Sequence, residues 1–163
     1  ETHAPQLAKN QSFRENLKAL SQKGLPIYAE CGGFMYLCSS ITDHRDHRYN
    51  MSGCFPFDTK MLKGRKALGY REITLSEELV IGKKGTVARG HEFHYSEIEN
   101  KDFQNEVKRV YSVSPRAGIT CLKEGYQVDN TLGSYIHLHF GSNPDLGRHF
   151  LVSARKYNHK GVL

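Results

Sequence analysis

A chain of 163 residues is long enough to bury one sizeable core, which excludes a peptide or a disordered tail. Its 23 Lys and Arg against 17 Asp and Glu leave a net charge of +6, but the basic residues are dispersed, densest at Lys63, Arg65, Lys66 and at Lys83, Lys84, without an aromatic-interleaved RNA-binding signature. The charge therefore reads as a solvated surface and not as a nucleic-acid interface, and no apolar run nears the roughly 18 residues that span a bilayer.

In chain order, Ser12-Phe13-Arg14-Glu15 has the S-x-x-E form of a capping box, and Phe13, Leu17 and Leu20 follow at helical spacing until Gly24. This predicts a helix over residues 12–22. Leu25-Pro26-Ile27-Tyr28-Ala29 is a short apolar run typical of a buried strand, with proline confined to its start. Glu30-Cys31-Gly32-Gly33 and the apolar-rich Phe34-Met35-Tyr36-Leu37-Cys38 come next, so a strand, a tight turn and a helix are predicted in succession. From Met51 to about Val113 the pattern changes to short alternating segments, such as 67–75 and 86–98, separated by polar clusters. Residues 132–138 form one more predicted strand, and Asn143-Pro144 supplies the N-cap and first position of a closing helix through Phe150, Leu151 and Ala154. No repeat, low-complexity tract or linker divides the chain, so residues 1–163 are expected to form one α/β unit.

Cys31, Cys38, Cys54 and Cys121 lack CxxC spacing and no signal-peptide core precedes them, which reads as four reduced cysteines in a cytoplasmic protein. Cys31 has a distinct context. A cysteine on a sharp strand-to-helix turn is held with its sulfur exposed, and the glycines after it tolerate the backbone geometry of such an elbow. The helix N-terminus is expected to lower its pKa, and the Gly32 N–H to serve as an oxyanion donor. A buried structural cysteine in a core turn is the alternative.

A cysteine nucleophile needs a base, and His137 and His139, two apart in a predicted strand, are expected to point to one face. A purely structural His pair remains open. So does a metal site drawing on His-x-His and on His91-Glu92-Phe93-His94, although the spacing is not that of HExxH. Neither GxxxxGK[ST] nor GxGxxG occurs.

Four blocks in order carry a resemblance. Residues 28–37 (YAECGGFMYL), 68–71 (LGYR), 90–96 (GHEFHYS) and 134–140 (SYIHLHF) with Asn143-Pro144 together resemble the glutamine amidotransferase domain of the cobyrinic acid a,c-diamide synthase family. The resemblance implies a flavodoxin-like class I amidotransferase fold, a three-layer arrangement of sheet and helices. It implies that Cys31 attacks the side-chain amide of glutamine, giving a γ-glutamyl thioester and ammonia, with His137 as the activating base and His139 as the second candidate. Glu30 and His94 are possible supporting residues. Many class I amidotransferases carry Glu two residues after the base. Here His139 occupies that position, so the third role stays unassigned.

The family's acceptor is a corrin ring whose a and c carboxylates are activated by ATP and amidated with the released ammonia. Cobyric acid synthase and sirohydrochlorin a,c-diamide synthase are the neighbouring alternatives, and a folded module without catalysis is the alternative of another class. No cofactor or metal is expected in this chain. ATP and Mg belong to a synthetase domain that precedes the amidotransferase domain in the family, and neither that domain nor a complete glycine-rich G-G-G-Y-P-E segment, whose last residue Glu1 would be, is seen here. The chain is thus expected to be an N-terminally truncated part of the domain. Losing an oxyanion donor in this way costs about 10²–10³-fold in rate, so impaired or absent activity is expected of the piece alone.

Overall fold

The computed structural model describes residues 1–64, 66–99, 107–114 and 122–158. The expectations for Arg65 and Cys121 lie outside the described residues.

Two helices open the chain, α1 (Ala4–Lys9) and α2 (Gln11–Gln22). α1 is short and begins with Pro5 in its first turn, where a missing N–H costs nothing. The N-cap of α2 is Asn10 and not Ser12: Asn10 Oδ1 accepts from Phe13 N at 3.2 Å, while Glu15 is taken up one turn along by Gln11 Nε2 at 2.7 Å. The helix stops where Gly24 N donates to Ser21 O and Leu25 N to Leu20 O, the paired bonds of a Schellman turn.

After Pro26 the chain runs through β1 (Ile27–Glu30), turns at Cys31 and enters α3 (Gly32–Leu37). The β-rich middle comprises β2 (Ser40–Thr42), β3 (Arg48–Asn50), β4 (Asp58–Met61), β5 (Ala67–Leu75), β6 (Val87–His94), β7 (Ser96–Ile98), β8 (Lys108–Val113) and β9 (Leu122–Val128). Then come β10 (Thr131–Ser134), β11 (Ile136–Leu138), a 3-10 turn over Phe140–Ser142 and α4 (Asp145–Asn158). A seven-stranded sheet has the order β1-β10-β9-β8-β5-β6-β11, with β1 and β10 parallel and every other pair antiparallel. A smaller sheet has the order β3-β2-β4-β7.

Two predicted strands are each divided. The alternating run 86–98 breaks at Tyr95, where the chain leaves the large sheet as β6 and joins the small one as β7. The run 132–138 breaks at Tyr135, because β10 pairs with β1 and β9 while β11 pairs with β6 at the far end of the order. The two ends of the sheet nevertheless meet: Leu138 N on β11 donates to the Glu30 carboxylate on β1 at 2.7 Å. The pairing of β11 with β6 needs Gly90, where a Cβ would collide with the His137 carbonyl oxygen.

The core has two centres. One surrounds Phe34 of α3, whose ring stacks on Tyr126 at 5.2 Å and meets Phe55, Phe57 and Tyr135 edge-on. The other gathers Ile73, Leu75, Val110 and Ile136 under Leu146 of α4. Asn143 does cap α4, its Oδ1 accepting from Asp145 N at 3.2 Å, and its Nδ2 donates to Val87 O at 2.8 Å, tying the helix start to β6. The buried stripe of α4 runs through Leu146, Phe150 and Tyr157, whereas Leu151 and Ala154 are exposed.

Candidate active site

Cys31 sits between β1 and α3 with φ 47° and ψ −110°, a conformation that side-chain-bearing residues rarely adopt. Its backbone N–H donates to Ser134 O at 2.8 Å, continuing the β1–β10 ladder into the turn. The short α3 is held down by Phe34, so the strand, the turn and the helix are fixed against the same core. Strain of this kind persists only where the surroundings over-determine it, and it concentrates at functional turns. The sulfur is half-buried, 3.9 Å from the Phe93 carbonyl of β6, and the Gly32 N–H is directed at it.

The expected lowering of the Cys31 pKa is not what the environment produces. Burial pushes the thiol up, the Gly32 N–H and the ammonium of residue 1 pull it back, and the Glu1 and Glu30 carboxylates add to the rise. Deprotonation at this position therefore calls for a base, not a helix terminus.

Glu30 precedes Cys31 on β1 and points to the end of β11. Its Oε1 accepts from Leu138 N and from the Tyr28 hydroxyl, and its Oε2 lies 3.5 Å from Nδ1 of His137. His137 stands opposite His91 in the β11–β6 register, and the two imidazoles stack at 4.8 Å with 8° between planes. The sulfur faces β6 at Phe93, two residues from His91. Cys31, Glu30, His137 and His91 thus converge where the two ends of the large sheet meet. An imidazole with Nδ1 facing a carboxylate has its tautomer and plane set, leaving Nε2 for proton transfer.

The other histidines stand elsewhere. β11 ends at Leu138, and His139 begins the 3-10 turn, where its N–H donates to Arg89 O and its exposed ring lies over Gly141. Among the described contacts none joins its side chain to Cys31, Glu30 or His137, whereas His137 has the Glu30 carboxylate at 3.5 Å. His94 is buried, with Nε2 2.9 Å from Glu92 Oε1 and Nδ1 2.8 Å from Ser96 O, while Glu92 pairs with Arg71 at 2.8 Å. Its ring stacks on Tyr135 at 4.0 Å. His91 and His94 do not join His137 in a metal shell, and no group of three or more His, Cys, Asp or Glu among the described residues is arranged to hold a metal ion.

Tyr28 and His91 stand at the site in places the sequence does not give them, His91 being singled out there only for a metal site. For Tyr28 a signal exists, because residues two apart in a strand share a face and so Tyr28 flanks Glu30. For His91 there is none, since only the cross-strand register sets it against His137.

A strained cysteine elbow beside a carboxylate–imidazole pair, on a mixed sheet with helices, defines a class of fold. A solved glutamine amidotransferase superposes with a TM-score of 0.61 at 16% identity, covering 92% of this chain and 72% of that structure. A putative GMP synthase protein from Thermoplasma acidophilum gives 0.57 at 15% identity, with 95% and 70% covered. The fold is therefore that of glutamine amidotransferases, the flavodoxin-like class I arrangement that the motifs imply. Residues 1–145 match the family model of the CobB/CobQ-like glutamine amidotransferase domain, and the chain belongs to that family.

Curated relatives named cobyrinate a,c-diamide synthase extend the match. The protein from Leptospira interrogans serogroup Icterohaemorrhagiae serovar copenhageni is 41% identical over 153 residues, which is 94% of this chain and 34% of that one. The Listeria monocytogenes serotype 4b protein is 44% identical over 146 residues, covering 88% and 31%, and that from Salmonella typhimurium 36% over 159 residues, covering 96% and 34%. This chain spans about one third of the length of these relatives.

Proposed function

We propose that this domain hydrolyses glutamine with Cys31 as nucleophile, His137 as general base and acid, and Glu30 as the residue that orients His137. The observation that carries the reading is the Glu30 carboxylate, held by Leu138 N and Tyr28 and facing His137 Nδ1 while adjoining Cys31 in the chain. It fills the third role that the sequence left open.

In this scheme Nε2 of His137 takes the thiol proton, which the raised thiol pKa otherwise retains. The thiolate attacks the side-chain amide carbon of glutamine. The Gly32 N–H, already directed at the sulfur, donates to the oxyanion that forms. His137 returns the proton to the departing nitrogen, ammonia leaves, and a γ-glutamyl thioester remains on Cys31. A water molecule deprotonated by His137 cleaves the thioester, releasing glutamate and regenerating the thiol.

The ammonia serves, in this proposal, the ATP-dependent amidation of the a and c carboxylates of a corrin ring in cobalamin biosynthesis. The names of the curated relatives support that acceptor and do not favour cobyric acid synthase, sirohydrochlorin a,c-diamide synthase or a non-catalytic module. ATP, Mg and the tetrapyrrole would be held by a synthetase domain, and this chain would bind glutamine without a cofactor of its own. No described helix is long and apolar enough to cross a membrane. A cytoplasmic setting is supported by the cysteines Cys31, Cys38 and Cys54, which are free.

The test is made in the full-length protein, with glutamine or ammonium as nitrogen source. Cys31→Ser is expected to lose glutamine-supported synthesis, by about 10⁶-fold or to background, and to keep ammonium-supported synthesis. Undiminished glutamine-supported synthesis would overturn the reading.

A further inference from the structure

The base is carried on a strand of three residues, β11, that starts one residue after β10 ends. Whatever fixes the break at Tyr135 therefore fixes His137. In a continuous strand the N–H groups of residues 135 and 136 would join a ladder. Here both are taken by side chains: Tyr135 N donates to Glu124 Oε1 at 2.8 Å, and Ile136 N donates to Ser134 Oγ at 2.9 Å. Ser134 Oγ in turn donates to Glu124 Oε2 at 2.5 Å. A single carboxylate on β9 thus ends one strand and starts the next.

The rest of the neighbourhood is arranged around that carboxylate. Gly125, φ +67°, turns its own N–H back onto Glu124 Oε2 at 2.5 Å. The position also excludes a side chain, because a Cβ there would collide with the Tyr111 ring. Enclosure drives the Glu124 carboxyl up to about 7, against the pull of Ser134, Tyr135 and Gly125. On the other side of the break the Tyr135 ring lies between His94, stacked at 4.0 Å, and Phe34 at 5.2 Å edge-on, with Ser96 Oγ 3.2 Å from its hydroxyl. Ser134 O accepts from Cys31 N and the Tyr135 hydroxyl lies within electrostatic reach of the thiol, but none of the described contacts of Glu124 itself is with Cys31. A carboxylate with this many donors and no described contact with the thiol has no role in the chemistry proposed above, yet it controls the two peptide groups that precede the base.

We propose that Glu124 is a positioning residue for His137, acting through Ser134 and Tyr135 to hold the strand break that aims the imidazole at Cys31. The inference rests on His137 being the base. A shift of about 1 Å in a reacting group costs on the order of 10²-fold in rate, so the clip matters even though it lies outside the site.

The experiment compares Glu124→Gln, Ser134→Ala and Cys31→Ser with wild type in the full-length protein. Glu124→Gln keeps the shape but sets an amide NH₂ against the Gly125 and Ser134 donors. Ser134→Ala, a smaller change that retains the Tyr135 bond, carries the test if the first variant does not fold. The expected result is a loss of about 10²-fold in glutaminase kcat per titratable Cys31 thiol for Glu124→Gln and about tenfold for Ser134→Ala, with KM within about threefold. Alkylation of Cys31 by iodoacetamide should also shift to higher pH in both, towards the profile of a thiol without a base. A merely structural role would lower the folded fraction and leave kcat per thiol and the alkylation profile unchanged, and that result would overturn the proposal. Should Cys31→Ser itself hydrolyse glutamine at the wild-type rate, the nucleophile assignment fails and the positioning role falls with it. Should Cys31→Ser be inactive while both clip variants match wild type, the positioning role alone fails.

Discussion

The nucleophile and the base reach the site by opposite routes. Residues 27–37 make a local device: a strand, one residue in a rare conformation and a helical turn, pinned by Phe34 three positions after the thiol. Residues 131–139 make a non-local one, in which β10 is the second strand of a seven-stranded sheet and β11 the last, the two being parted by contacts from β9 and from the β6–β7 corner. The difference teaches that a nucleophile can be built by short-range geometry while its base is delivered by topology. Glu30 joins the two, since it is covalently next to Cys31 and bonded to the backbone of β11.

The sharpest way to break this comparison is at the histidines, because it assigns everything to His137 and nothing to its neighbour. His137→Asn is expected to lower glutamine hydrolysis by about 10³-fold, and His139→Asn by less than about threefold, in steady-state glutamate release. The reverse pattern would mean that β11 delivers a different residue from the one that Glu30 faces. Ammonium-supported synthesis by the full-length protein should survive both.

The link between the arms gives the next largest effect. Glu30→Gln keeps an acceptor for Leu138 N but no longer offers an anion to an imidazolium, and a loss of about 10²-fold in kcat is expected. Thermal unfolding of this variant should stay within a few degrees of wild type, since the change is isosteric.

The smallest expected effect concerns the frame around Tyr135. Burial alone would raise the Glu92 carboxyl, but His94 and Arg71 outweigh it and hold the group below its ordinary value of 4.5. A pKa depressed in the folded state contributes stability above the unfolded value, and that contribution disappears as the pH falls through the folded one. Wild-type melting temperature should therefore drop on acidification below about 4.5, and Glu92→Gln should be less stable near pH 7 by about 2 kcal/mol but flatter with acid. Parallel curves for the two proteins would remove Glu92 from the frame.

Legibility in the sequence follows the same division. The strand, turn and helix around Cys31 can be read from Pro26, the Gly32-Gly33 pair and the apolar run after it, because each is a short-range signal. β5 is read to the residue over 67–75, since alternation along one strand needs no knowledge of its neighbours. The single run 132–138 hides the break at Tyr135, because β10 and β11 share one apolar pattern and differ only in their partners. Asn10 displaces Ser12 as the cap since two competent cap residues lie two apart and only packing chooses between them. Motif spacing directs the search for a third member of the site to the position after the histidine, His139, whereas the carboxylate proposed for that role lies before the cysteine, at Glu30. Fold class and the pair Cys31 and His137 are local motifs, whereas the role of Glu30 and the neighbourhood of His91 exist only once register is set.

The central claim is that Cys31 forms the covalent bond to glutamine. The direct measurement is intact mass and peptide mapping of the full-length protein after incubation with 6-diazo-5-oxo-norleucine, a glutamine-mimicking electrophile. The account predicts one adduct, on Cys31, formed much more slowly in His137→Asn than in wild type. A protein that still releases glutamate from glutamine yet carries its adduct on another residue, or none on Cys31, would contradict it.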